Sequence, residues 1–93
     1  MEIKQAILNA IDQIALSPIE VNSGRCEDLM QLVCDTVEDA DWLGTEEVED
    51  KLEGYHWIGH VWIVYQGKHY DAECIDGVDN FLDLPIFQKA KIH

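Results

Sequence analysis

The stretch WIGHVWIVYQGKHYDAEC, residues 57–74, decides the fold of this chain. Residues 57–65 are rich in β-branched and aromatic side chains, which favour a strand. Gln66-Gly67 is typical of a tight turn, and residues 68–74 have the composition of a second strand. The stretch therefore predicts an antiparallel β-hairpin.

The register of this hairpin brings two polar side chains to the same face. If Gln66-Gly67 forms the loop, Ile63 pairs with Tyr70 and Trp62 pairs with Asp71. His60 and Asp71 are then diagonal neighbours, roughly 7 Å apart at the backbone and within side-chain reach. A one-residue bulge would instead put them on opposite faces of the sheet. The hairpin thus predicts an imidazole held by a carboxylate.

The residues that precede the hairpin predict helices. Apolar side chains recur three and four positions apart in residues 2–16, and Ser17-Pro18 should end this first helix. Asn22-Ser23-Gly24 is typical of a turn that caps a helix. The same apolar spacing then continues from Cys26 to about Glu38, which predicts a second helix with Cys26 in its first turn.

Shorter elements are expected in the rest of the chain. Thr45 is a candidate N-cap for a short helix over residues 46–53. After the hairpin, Asp76-Gly77 predicts a turn, and Asp79-Asn80 is expected to cap one helical turn that ends before Pro85. The predicted fold class is α+β: a single domain, residues 1–93, with N-terminal helices packed on a small antiparallel sheet.

The composition restricts the classes of partner. Nineteen acidic and six basic side chains give a formal net charge of −13, and a field of that sign repels nucleic acid and anionic membrane surfaces. The N-terminal segment has neither the apolar core of a signal peptide nor a membrane span, so a cytoplasmic protein is expected. The acidic surface is either simply solvated or imitates nucleic acid and occupies a basic protein groove.

The three cysteines, Cys26, Cys34 and Cys74, are widely spaced and contain no CxxC pair. This pattern fits neither a secreted disulfide framework nor a zinc ribbon, so free thiols are expected. His56 and His60 are four residues apart, but on a strand or loop this spacing does not converge on a metal as it would on a helix. No metal or cofactor is therefore expected.

Cys26 differs from the other two cysteines in its position. The helix dipole and the free amides of a first helical turn favour thiolate over thiol, and the thiolate is the nucleophile. Glu27 and Asp28 would raise the thiol pKa unless they point away, so a cationic partner is needed. His60 is the candidate partner, with Asp71 to fix its tautomer.

Three further residues are expected to support this site. Glu73 lies opposite His60 in the predicted register and is an alternative orienting acid. Trp62 shares the face of His60, where it either packs in the core or shields the imidazole from water. Asn22, four positions before the thiol, is a candidate donor to an oxyanion.

Three motifs together resemble a known family. They are Gly24-Arg25-Cys26-Glu27-Asp28-Leu29, Gly59-His60-Val61-Trp62 and Gly67-Lys68-His69-Tyr70-Asp71-Ala72-Glu73. Their order resembles the transglutaminase-like branch of the papain-like cysteine enzymes, over residues 23–73. The resemblance implies a cysteine heading a helix packed on an antiparallel sheet, a histidine and an aspartate on neighbouring strands, and protease, amidase, deamidase or transglutaminase activity.

Two functional hypotheses follow. The first is a thiol-dependent hydrolase or acyltransferase in which Cys26, His60 and Asp71 attack an amide or ester of a peptide, a protein or a small molecule through a thioester. The second is a non-catalytic acidic inhibitor that occupies a basic, nucleic-acid-binding surface of a protein partner.

Overall fold

The N-terminal part of the chain is helical. The structure, a computed structural model, describes residues 2–92. Its first helices are α1 (Ile3–Ile14), α2 (Pro18–Gly24) and α3 (Cys26–Thr36). Helices α1 and α3 match the two helices that the apolar spacing predicts, each shortened by about one turn or less.

Helix α2 lies where the sequence predicts only a capping turn, at Asn22-Ser23-Gly24. Ser17 caps this helix through a reciprocal capping box with Glu20, and Pro18 takes the first helical position, where its missing N–H costs no hydrogen bond. Ser17-Pro18 therefore ends one helix and begins another. Asn22-Ser23-Gly24 forms the last turn of α2 and is not the N-cap of α3.

Four strands in residues 2–92 form one antiparallel sheet in the order β1-β2-β3-β4. The strands are β1 (Asp41–Gly44), β2 (Val61–Tyr65), β3 (Lys68–Asp71) and β4 (Cys74–Val78). The predicted hairpin is confirmed as β2 and β3, with the pairs Ile63–Tyr70, Val64–His69 and Tyr65–Lys68. Both strands are shorter than the predicted ranges 57–65 and 68–74, because the chain enters β2 only at residue 61 and turns at residues 72 and 73. Gln66 and Gly67 both have positive φ, as a two-residue hairpin loop with a primed turn requires.

Strands β1 and β4 lie outside the sequence prediction. The acidic segment before residue 54 was expected to hold only a helix, but its start pairs with β2 as β1. Asp76-Gly77, expected as a turn, lies inside β4, where Gly77 has a φ of +80° and lies against the Tyr70 ring. The chain turns instead at residues 72 and 73, and the β3–β4 pairing is irregular between His69 and Asp71.

The remaining short elements differ in detail from the prediction. The helix expected at 46–53 is a 3-10 helix, Thr45–Lys51, and Gly44 rather than Thr45 stands at its N-cap. Asn80 caps the 3-10 turn Phe81–Asp83, as predicted. Pro85 does not end the helical structure, because it is the first residue of α4 (Pro85–Ala90).

The sheet separates two apolar clusters. Helices α1 and α3 cover one face, where Ile63 and Tyr70 are buried. Trp62 points to the opposite face and packs with Phe81 and Phe87. This alternation confirms an α+β fold with helices packed on a small antiparallel sheet. None of the helices in residues 2–92 combines the length and apolar content that crossing a membrane requires.

Candidate functional site

Cys26 is the first residue of α3 and its side chain is half-buried. Its interaction with the His60 imidazole lowers the pKa of the thiol, although burial acts in the opposite direction. The backbone of Val61 and of Glu27 also acts on the sulfur and lowers its pKa further. Because each of these groups stabilises negative charge, the thiolate is favoured at Cys26.

The carboxylates next to Cys26 do not reverse this effect. Asp28 accepts a hydrogen bond from the Nε of Arg25, so its charge is paired within the same helical turn. Neither Glu27 nor Asp28 carboxylate is among the groups that raise the thiol pKa. The cationic partner that the sequence requires is therefore available from His60.

His60 directly precedes β2 and is held by its own backbone. Its N–H donates to Thr45 Oγ1 at 2.8 Å, while its carbonyl accepts from Thr45 Oγ1 at 3.0 Å and from the Thr45 backbone N at 2.9 Å. The His60 ring stacks on Trp62 with centroids 5.9 Å apart and meets the edge of Phe87 at 6.2 Å. Only 2% of the residue is exposed, so the imidazole has little freedom to reorient.

Asp71 holds the other side of the imidazole. Its Oδ2 lies 3.0 Å from His60 Nε2, and its side chain is 1% exposed. Its Oδ1 accepts a hydrogen bond from the Glu73 backbone N at 3.0 Å, which fixes the plane of the carboxylate. Burial alone would lower the pKa of His60, but the hydrogen bond to Asp71 and the interaction with the Cys26 thiol outweigh it, and the pKa is raised.

The second ring nitrogen of His60 is therefore left for the thiol. Among the described residues, His60 Nδ1 is buried and has no conventional hydrogen-bond partner. Because Nε2 is held by Asp71, Nδ1 is the nitrogen through which the ring acts on Cys26.

The three supporting residues lie near the site, but two of them have other partners. Asn22 is buried, and one N–H of its Nδ2 donates to Glu73 Oε1 at 3.0 Å, which fixes the side chain and leaves the second N–H as the oxyanion donor that the sequence predicts. Glu73 also accepts from Lys89 Nζ at 3.0 Å and does not replace Asp71 beside the imidazole. Trp62 does shield the ring, by stacking on it.

The thiol opens into two clefts. The larger, of about 390 Å³, is lined by Cys26, Glu27, Trp42, Gly44, Thr45, Glu46, Glu47, Trp57, Gly59, His60 and Val61. The smaller, of about 310 Å³, is lined by residues 22–28 and by Gly59. Cys26, Glu27 and Gly59 belong to both clefts. No atom lies within 4 Å of where a Gly59 Cβ would stand, so the glycine leaves open space beside His60.

The other cysteines have a different environment. Burial raises the pKa of both Cys34 and Cys74, and nearby aspartates raise it further. In residues 2–92, no group of three or more His, Cys, Asp or Glu side chains is arranged to hold a metal ion. Cys26 is therefore the one cysteine of the three whose surroundings favour a thiolate.

Two residues of the site escaped the sequence prediction. Thr45 was expected to cap a helix, yet its hydroxyl and amide hold the His60 backbone. Trp42 lies on β1, a strand that the sequence does not predict, and lines the larger cleft. The sequence holds one indication of either residue: both lie in the acidic segment before residue 54, which contains an aromatic side chain.

Comparison with known proteins finds no matching family model, curated protein or solved structure.

Proposed function

We propose that this protein is a thiol-dependent hydrolase or acyltransferase that acts on amides or esters through Cys26, His60 and Asp71. One observation carries the proposal: a buried histidine is held by a buried aspartate at 3.0 Å, while its other nitrogen is unpartnered beside a cysteine at a helix start. Cysteine enzymes use this arrangement to generate a thiolate and to hold a proton next to it.

The chemistry assigns a step to each group. The Cys26 sulfur attacks the carbonyl carbon, a C–S bond forms, and the π electron pair moves onto the oxygen. The electron pair then returns, the C–N or C–O bond breaks, and the His60 imidazolium gives its proton to the leaving group. Water or an amine attacks the resulting thioester, His60 accepts its proton, and the sulfur leaves as thiolate. Asp71 keeps the ring oriented and stabilises its positive charge throughout.

The oxyanion needs donors close to the sulfur. The amide of Cys26 belongs to the first turn of α3, where backbone N–H groups have no acceptor within the helix. It therefore supplies a donor directed at the carbonyl oxygen. Asn22 Nδ2 donates to Glu73 and has a second N–H, which is the candidate for the other donor.

The arrangement also agrees with the resemblance to the transglutaminase-like, papain-like enzymes. In this chain the cysteine heads a helix that packs on an antiparallel sheet. The histidine directly precedes β2, and the aspartate is the last residue of the neighbouring strand β3. These are points of agreement in topology and residue type, and membership of that family is part of the proposal.

Selective alkylation tests the proposed nucleophile. Cys26 should react with iodoacetamide at lower pH than Cys34 and Cys74, because the pKa of Cys26 is lowered and those of the other two are raised. His60→Ala should remove this advantage while the protein stays folded by circular dichroism. Peptide mass spectrometry separates the three sites. If Cys26 reacts with the pH profile of a free cysteine, the proposal fails.

An activated ester tests the acyl-enzyme. Incubation with p-nitrophenyl acetate should acetylate Cys26 and then turn over, whereas Cys26→Ala should show neither event. An acidic inhibitor without catalytic activity would give no acylation above the level of Cys34.

A further inference from the structure

The two clefts meet at the thiol and form one continuous groove. Cys26, Glu27 and Gly59 line both of them, and a Gly59 Cβ would meet no atom within 4 Å. A carbonyl at the sulfur therefore has space on both sides. A small amide fills one side, whereas an extended peptide occupies both. The shape favours a peptide that crosses the groove at Gly59.

The larger cleft has aromatic walls that face solvent. Trp42 and Trp57 are 43% and 57% exposed, and both line this cleft. Large aromatic side chains on a strongly charged surface that stay open to water are typical of binding sites. Their faces attract cations, and Arg or Lys side chains are the commonest partners.

The charges in the larger cleft have the complementary sign. Glu27, Glu46 and Glu47 line it, and the lining contains no lysine or arginine. Glu47 already accepts a hydrogen bond from the Gly44 amide, whereas Glu27 and Glu46 form no salt bridge among the described residues. Two carboxylates without an ion-pair partner thus line the same cleft as the two indoles.

The smaller cleft carries less unpaired charge, because Glu27, which it shares with the larger cleft, is its one carboxylate outside an ion pair. Arg25 and Asp28 both line it, and they form an ion pair with each other. A charged substrate group therefore gains more in the larger cleft. His60 and Cys26 also line that cleft, which places the reacting groups and the acidic walls in the same space.

We propose that the substrate is a peptide with a lysine or arginine side chain next to the attacked amide, bound between Trp42 and Trp57 beside Glu46. This inference rests on the proposed function, because it takes the carbonyl at Cys26 as the reacting group. Binding of the peptide comes before any attack by Cys26, so it can be measured separately from the reaction.

Binding to the Cys26→Ala protein tests the inference without turnover. The probes are acetylated, amidated five-residue alanine peptides whose central residue is lysine, norleucine or glutamate. The lysine peptide should bind about 5- to 30-fold more tightly than the norleucine peptide, the ratio that one cation–π contact gives. Tryptophan fluorescence follows the titration. Equal affinity for the lysine and norleucine peptides would overturn the inference.

Matched variants locate the effect in the cleft. Glu46→Gln and Trp57→Leu should each reduce the preference for lysine several-fold. Glu49→Gln changes the net charge by the same amount from the same 3-10 helix but does not line the cleft, and it should leave the preference unchanged. A loss as large in Glu49→Gln as in Glu46→Gln would mean that only the overall charge acts, and the inference would fail.

The outcomes separate this inference from the proposed function. Selective binding of the lysine peptide, with a Cys26 that alkylates as a free thiol, would support the binding site and reject the catalysis. Acylation of Cys26 without any charge preference would do the reverse. If free lysine amide binds as tightly as the lysine peptide, the groove does not recognise a peptide and this part of the inference is wrong.

Discussion

Replacing Asp71 with asparagine tests how the site activates its thiol. The Asp71 carboxylate accepts one hydrogen bond from His60 Nε2 and a second from the Glu73 amide. In Asp71→Asn, the side-chain oxygen can still serve the Glu73 amide, so the turn between β3 and β4 should persist. The negative charge beside the imidazolium is lost, and an asparagine NH₂ directed at Nε2 would force the ring into the other neutral tautomer.

The size of the effect follows from the interaction removed. A hydrogen bond to a charged group contributes roughly 1.5–3 kcal/mol, and at this burial it is little screened by water. At 1.36 kcal/mol per tenfold change, roughly 10- to 150-fold less thiolate–imidazolium pair should remain at about pH 6.5. The alkylation rate of Cys26 follows this population, so it should fall by the same factor.

The assay is iodoacetamide labelling of the folded protein, with each cysteine quantified by peptide mass spectrometry. Cys34 serves as the internal standard, because Asp71 does not act on its pKa, whereas the Asp71 charge raises the pKa of Cys74. Asp79→Asn is the matched control, since it removes the same charge from an exposed site. If Asp71→Asn stays folded and labels Cys26 within about twofold of the unmodified chain, Asp71 does not maintain the ion pair and the reasoning is refuted.

Three further predictions concern the site and the sheet that carries it. Gly59→Leu should slow labelling of Cys26 by a bulky maleimide without loss of stability, because its side chain enters the open space between the clefts; unchanged labelling would show that the groove is elsewhere. Gly77→Ala should lower the free energy of unfolding, measured by urea denaturation, by about 2–4 kcal/mol, because its Cβ would lie 2.6 Å from Tyr70 at a φ of +80°. Gly67→Ala is the matched control: its φ of +77° is similar but its surroundings are open, so it should lower the free energy of unfolding by about 1–2 kcal/mol. His60, whose pKa is raised on folding, contributes stability that is complete below its ordinary pKa of 6.5 and is lost as pH rises through the folded value, so the stability difference from His60→Gln should be larger at about pH 6 than at about pH 9. The opposite trend would show that the buried ring folds neutral.

The hairpin was predictable because its information is local. Gln66-Gly67 fixes both the loop and the register, and the side-chain period of two then puts His60 and Asp71 within reach of each other. The structure gives a separation of 3.0 Å between their side chains although β2 begins only at Val61. A residue just outside the hydrogen-bonded part of a strand, such as His60, still lies on the side of the sheet that the alternation of side chains predicts.

The other elements depend on contacts distant in sequence. Strand β1 consists of Asp41–Gly44, whose composition does not favour a strand, and it exists because β2 offers it a free edge. The hydrogen bonds from Thr45 to His60 join residues 15 positions apart. Likewise, Asn22 reaches Glu73 across 51 positions, so its role cannot be read from its neighbours in the chain.

The proposed site draws its members from α3, the entry to β2 and the end of β3, with no two of them in the same element. Until the last of them has docked, Cys26 is an ordinary thiol, because neither the imidazole nor the aspartate is beside it. Folding would thus act as the activation step, and a chain released from synthesis would carry no reactive nucleophile until residue 71 is in place. Pulsed alkylation of Cys26 during refolding would therefore time the docking of the hairpin onto α3.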